Sequence, residues 1–522
     1  MKKKYYYIIL LIIVFIFMSY NVIYTYDSLH YLDYVDILFN RLPFSSWDIV
    51  RGPSFPLTLY LFSIIFGENQ NAHLLLQLFN FLLLIFLIIE VLNISIKEYK
   101  YKKCIVFILS FLICFNPLIF GYYHVLLTEY ISIFLTVLSI YFSYKWIYVK
   151  ENKKKIIYLL FFTFLLSYLW MLKQPYSLCL LVPVLAASIL SLLKDKSVIN
   201  FIYRLGTIVI SLSVMFISIV IWNRVLVWKN ADMNTGRDSS SALSSAMLNL
   251  QSYVVVDSDS NDIDLYDLSE EEINDINSNK YAILLTIKNS KIIDKDILKK
   301  YKGKISAFNT ILISIENMFQ HPKIILGDYV KSYCALSSLC VIESQNGSRY
   351  YITNELEYND LFENRIIGYR IYDNTLENVF WVPNDDFAYN RVKYSSYKNA
   401  GFTRNVFLKM TKPTSIMYKV LIIFCPLLFL ISLFLYILVY KKYKDLLSKV
   451  ELLIINICFA FLYLIANVYV GAFIDRYSIE TFIPLIISLI LIITIIIDIK
   501  EIKCKKSKSN KSEKVNKKFL KK

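Results

Sequence analysis

Runs of about 20 apolar residues recur along the chain, and no other feature limits its fold as strongly. A run of that length, wound as a helix, crosses the ~30 Å hydrocarbon core of a bilayer. A water-soluble domain cannot bury so many of them. The apolar windows fall at residues 5–24, 71–96, 104–121, 127–148, 155–171, 177–193, 203–227, 416–439, 450–470 and 477–498. Only 19% of the 522 residues are charged, against 57% hydrophobic, which fits such a chain and excludes an ordinary globular one.

The net charge of +16 raises the question of a nucleic-acid partner, and the placement of the lysines answers it. Lys97, Lys100, Lys102 and Lys103 follow one apolar run, Lys145, Lys150 and Lys153–Lys155 another. Lys194, Lys196 and Arg204 form a third group, Lys441, Lys442, Lys444 and Lys449 a fourth, and the tail from Lys500 is lysine-rich. These groups flank every second loop, as expected when basic loops stay cytoplasmic. The charge is topological, and no nucleic acid is expected. Both termini then lie in the cytoplasm, and the N-terminal run reads as a retained helix, since no small-residue cleavage site follows it.

Four parts follow from this pattern: an N-terminal transmembrane module, 1–227, with an external loop at 25–70; an extracytoplasmic insertion, 228–415; C-terminal transmembrane helices, 416–499; and a basic tail, 500–522. The insertion holds 24 of the 41 acidic residues against 21 Lys and Arg. That balance suits an ordered external domain, read as helical over 269–319 and β-rich beyond, around the Asn346-Gly347 turn signal. The tail reads as disordered and lipid-attracted. Within the first loop, the apolar stretch Ser54–Phe66 is too short to span comfortably and reads as an interfacial helix. Cys334 and Cys340 share the external side, where they either pair as a disulfide or stay as free thiols.

Candidate chemistry gathers at the outer ends of the helices. Leu29, Leu32, Val35 and Phe39 fall on one face of a helix with Asp33, Asp36 and Asn40 opposite, an amphipathic surface element. Asp27, just before it, is either a helix cap or a reactive carboxylate. Glu129 opens a helix, where a first-turn acid is favoured by the dipole in any case. Lys173, Arg476 and Arg51 sit at the outer water–membrane boundary, suited either to snorkelling or to binding a phosphate head group. His30, Tyr31 and His124 are candidate contacts for an acceptor or sugar; His30, with Asp33 and Asp36, reads first as the solvated face of the surface helix, and His124 reads otherwise as an interfacial residue.

Several of these residues lie in a recognisable order. Arg51-Gly52-Pro53-Ser54-Phe55-Pro56 opens the short apolar helix that ends in Phe66-Gly67, Asn116-Pro117-Leu118 ends the third run, and Leu126-Leu127-Thr128-Glu129 begins the fourth. Lys173-Gln174-Pro175 precedes Leu181-Val182-Pro183, and the last run opens Arg476-Tyr477 and reaches Pro484. Over residues 1–195 and 416–498 this arrangement resembles the GT-C membrane glycosyltransferases, most of all the family 39 group of protein mannosyltransferases and aminoarabinose lipid A transferases. Gly52 stands where that group usually has Pro, Phe55 replaces a frequent Tyr, and Glu129 a common Asp.

The resemblance implies an all-α polytopic GT-C-like membrane protein with about ten transmembrane helices, outer interfacial helices and an α+β extracytoplasmic insertion. It implies transfer of a sugar from a polyprenyl-phosphate donor to a glycan, lipid or protein acceptor on the outer face. Asp27 would serve as general base or metal-linked carboxylate and Glu129 would support it, with the need for a divalent metal ion left open. Lys173, Arg476 and Arg51 would hold the donor phosphate. A polysaccharide polymerase or ligase, or a flippase or transporter of lipid-linked glycans, is the alternative reading.

Overall fold

The computed structural model describes residues 3–229 apart from 21, 23–25, 48–51, 97–100, 173–177 and 196, then Tyr333, 342–343, 349–350, 401–469 and 479–519. Over these the chain is almost entirely helical. In order the helices are α1 (Lys3–Met18), α2 (Tyr26–Leu38), α3 (Ser54–Phe66), α4 (Gln70–Ser95), α5 (Lys102–Cys114), α6 (Pro117–Tyr122), α7 (Glu129–Tyr148), α8 (Asn152–Trp170), α9 (Leu181–Asp195), α10 (Val198–Trp228), α11 (Gly401–Lys442), α12 (Leu447–Tyr469) and α13 (Phe482–Phe519). Six segments are long and apolar enough to cross a membrane: α4, α7, α10, Ile416–Lys442 of α11, a segment containing nearly all of α12, and Ile479–Cys504 at the start of α13. This is a multi-pass membrane architecture. Shorter apolar helices occupy Tyr7–Met18, Ser54–Phe66 and Leu181–Lys194.

The run at 104–121 is not one helix. Pro117 has no N–H to continue the α5 ladder, and the Asn116 side chain accepts the Leu118 N–H at 3.0 Å. A new helix, α6, is thereby capped where α5 stops. The run at 177–193 likewise starts as a 3-10 turn, Leu178–Leu180, before α9. The apolar stretch Ser54–Phe66 is one helix with those bounds, ended by Gly67 at φ 83, a conformation that glycine adopts without strain. The basic tail, expected to be disordered, continues α13 as helix to Phe519.

The α2 segment departs from a simple surface helix. Tyr31, Tyr34 and Ile37 are buried along with Leu32 and Val35, and so is Asp36. Asp36, read as part of a solvated face, instead accepts from the Arg41 guanidinium at 3.1 Å; Arg41 also pairs with Glu68. The ion pairs tie the end of α2 to the link between α3 and α4, while Tyr31 packs edge-on against Phe55 of α3, centroids 4.7 Å apart.

Helices α7 and α12 form the centre, with 67% and 72% of their spans buried against 22% for α10. Helix α12 packs on α7, α9, α11 and α13, while α10 lies outside against α8 and α9. The apolar outer face of α10 (Ile202, Val209, Phe216, Ile221) is exposed, as a lipid-facing helix requires.

Ionisable residues bracket this apolar bundle at both ends. Between Glu480 and Asp498 α13 carries no charge, a rise of ~27 Å at 1.5 Å per residue, close to the thickness of the hydrocarbon core. At one end the Lys449 amine of α12 meets Asp498 of α13 at 2.6 Å, both buried. Beside them Tyr148 donates to the fully buried Glu451 at 2.6 Å, and the Lys194 amine lies 3.9 Å from the same carboxylate and 3.8 Å from the Tyr148 ring centroid. Part of the loop charge read as purely topological is therefore spent on joining α7, α9, α12 and α13. The remaining strands among the described residues are a two-residue antiparallel ladder, Ile342↔Tyr350 and Glu343↔Arg349, within the insertion. The helical reading of 269–319 and the Cys334–Cys340 pair lie outside the described residues.

Candidate functional site

The opposite end gathers two more buried carboxylates. Glu129 is the first residue of α7 and is fully buried. The Thr128 hydroxyl lies 3.4 Å from its carboxylate. One turn on, the Ser132 hydroxyl contacts the Glu129 carbonyl at 3.0 Å and donates to Glu480 at 2.7 Å. Glu480 is itself buried, in the 3-10 turn Ile479–Thr481 that leads into α13. Its neighbour Thr481 shares a hydrogen bond with the Tyr418 hydroxyl of α11, 3.1 Å apart. Glu129 thus stands in the first turn of α7 and the Glu480 carboxylate binds the Ser132 hydroxyl one turn on, near the helix end whose free backbone N–H groups and positive dipole favour negative charge.

The start of α2, just after α1, docks on the same end. The Ser28 hydroxyl donates to the Leu126 carbonyl at 2.7 Å, which joins the start of α2 to the turn that precedes Glu129. Asp27, next to Ser28, falls in the first turn of α2 rather than ahead of it; its side chain lies outside the described residues. Gly52, beside Arg51, lies so close to the Met171 backbone that an added Cβ would come 2.7 Å from the Met171 carbonyl carbon and closer still to its oxygen. That contact gives a physical reason for glycine at this position. Gly52→Ala is expected to cost about 3 kcal/mol, because the clash is with backbone and no rotamer relieves it. A melting curve of the detergent-solubilised protein checks this; an unchanged curve would mean that the two segments separate easily. Arg51 and Lys173 flank this contact in sequence. They and Arg476 lie outside the described residues.

His124 turns inward rather than toward a substrate. Its Nδ1 lies 2.9 Å from the Phe120 carbonyl and its Nε2 3.1 Å from the Phe17 carbonyl. The Phe17, Phe120 and Tyr20 rings surround it at 4.1, 4.5 and 5.3 Å. Burial pushes the imidazole down to about 4, partly offset by the carbonyl contacts, so a neutral ring struts α1 against the α6–α7 turn. His30 is partly exposed, 4.0 Å from Asp33, and Tyr31 is buried in the α2–α3 contact.

Among the described residues, no cluster of three His, Cys, Asp or Glu side chains is placed to hold a metal ion. The sequence reading passed over Glu480 by absorbing it into the last apolar run. The available signal was an acid at the edge of that run, four residues after Arg476, the same signal that marked Glu129. Comparison with family models, curated proteins and solved structures found no match to this chain.

Proposed function

We propose that this protein is a membrane glycosyltransferase that moves a sugar from a polyprenyl-phosphate donor to an acceptor hydroxyl on the outer face of the membrane. The observation that carries this reading is the presence of two buried acids, Glu129 and Glu480, at one end of the bundle, where the Ser132 hydroxyl touches the Glu129 main-chain carbonyl and donates to the Glu480 carboxylate. Burying carboxylates costs several kcal/mol each unless something compensates, so a membrane protein that brings two of them to one helix end has a use for them. The first external loop arrives at the same turn through the Ser28–Leu126 bond, which puts the start of α2, and Asp27 within it, beside the α6–α7 turn. In this reading that end faces outward, since the lysine-rich loops belong to the other.

The chemistry needs a base, a leaving-group partner and a dry setting. Asp27 takes the proton from the acceptor hydroxyl as its oxygen attacks the anomeric carbon. The bond from that carbon to the phosphate oxygen breaks, and polyprenyl phosphate leaves with the electron pair. Lys173, Arg51 and Arg476 offset its charge. Glu129 and Glu480 set the local field and hold α7 in place. The test is Asp27→Asn, assayed for sugar transfer from lipid-linked donors in membranes containing the folded variant. Transfer is expected to fall at least about 100-fold with expression and melting unchanged; transfer at the wild-type rate would remove Asp27 from the mechanism.

A further inference from the structure

Tyr130 follows Glu129 in α7 and is completely buried, yet among the described residues its hydroxyl has no hydrogen-bond partner. Orphaned buried hydroxyls are uncommon in folded proteins, and each calls for a reason. A serine in a helix can turn to the carbonyl one turn back, as Ser110, Ser143 and Ser188 do here. A tyrosine cannot, because its hydroxyl is held some 6 Å or more from its own backbone by a rigid ring. The Tyr130 ring packs against Phe55 of α3 and Tyr123 of the α6–α7 turn, centroids 6.0 and 5.9 Å away. Tyr168 of α8 lies within electrostatic reach, and its own hydroxyl is paired with Thr58 of α3 at 2.8 Å.

The seam between α3, α7 and α8 therefore offers aromatic rings, a hydroxyl pair and one unsatisfied phenol, one residue from a buried carboxylate and under the first external loop. Few fixed polar groups among aromatic walls are the usual make-up of a small-ligand site. A phosphate would call for cationic neighbours; among the described residues, the groups shown against Tyr130 are rings and hydroxyls. We infer that the Tyr130 hydroxyl is a binding contact for a hydroxyl of the donor's sugar ring. This rests on the glycosyltransferase reading and adds to it a residue that selects for the sugar rather than for its lipid carrier.

Tyr130→Phe separates the possibilities, since it removes one oxygen and keeps the ring. The full-length protein in detergent would be titrated with polyprenyl phosphate alone and with a panel of polyprenyl-phosphate hexoses, alongside melting curves without ligand. The wild type is expected to bind a sugar-bearing probe more tightly than the bare phosphate. The variant is expected to bind the bare phosphate equally well, to bind the sugar-bearing probe about 5- to 10-fold more weakly, and to melt no lower than the wild type. A variant that binds the sugar-bearing probe as the wild type does would overturn the inference alone. So would a wild type indifferent to the sugar, or a variant that melts several degrees lower, because the hydroxyl would then have a partner within the protein. A wild type that binds no probe would instead count against the glycosyltransferase reading, and this inference would fall with it.

Discussion

Replacing Glu480 by glutamine is expected to lower sugar transfer by about 100-fold while the protein folds and melts as before. Glutamine keeps the side-chain carbonyl that accepts the Ser132 hydroxyl, so the bond that ties the α13 entrance to α7 survives. What disappears is the negative charge. If Glu480 served only to hold two helices together, losing the charge would leave transfer intact and could even raise stability, since a buried charge carries a desolvation cost. If the charge helps to set the field at the reacting centre, transfer collapses without any structural signature. Glu129→Gln is expected to behave alike. Normal transfer by both variants would reduce the carboxylate pair to a structural feature and leave the proposed mechanism without its main support.

At the other end of the bundle, Asp498→Ala is expected to destabilise the protein by about 3 kcal/mol without altering the turnover of the molecules that remain folded. Lys449 and Asp498 meet at 2.6 Å with little exposure on either side chain. Removing the carboxylate leaves an ammonium group buried between α12 and α13, and stranding one partner of a buried pair usually costs 3–5 kcal/mol. The lower end applies here, because Lys449 sits near the start of α12 and its long side chain can reach for the interface. Replacing both residues by leucine is expected to restore most of the loss, since the cost comes from the stranded charge rather than from the missing attraction. Melting curves of the single and double variants check this. A single variant as stable as the wild type would show that the amine escapes to water, and a double variant no better than the single would show that the pair contributes packing of its own.

Much of the architecture was legible in the residues because its causes act over short stretches. An apolar run of sufficient length has to become a helix in a bilayer, where no water is present to satisfy the backbone. Ser54–Phe66, although too short to span, was readable with its bounds because Pro53 and Gly67 punctuate it. Glu129 was legible as an acid at the edge of such a run. Where local chemistry competes with the run, hydropathy alone misled: Asn116 and Pro117 cut the third run in two, although every residue around them is apolar enough to continue it. Two of the lysines at the run ends, Lys194 and Lys449, meet the buried acids Glu451 and Asp498 at one end of the bundle.

Partnership across the chain was not legible, because sequence periodicity reports which face of a helix is apolar and says nothing of which helix will cover it. Asp36 looks like the polar face of a surface helix until Arg41 and the packing of α3 enclose it. Ser132 and Glu480 are 348 positions apart, and only the docking of the α13 entrance on α7 makes them neighbours. Gly52 likewise looks like a departure from a motif until Met171 is seen against it. The amino-acid order by itself determined a helical, many-times-crossing chain with ionisable groups confined to the helix ends, since water is available to them only there. Which of those groups share one buried turn was decided by tertiary packing, because contacts between segments hundreds of residues apart depend on how the helices pack against one another, and no local pattern encodes that.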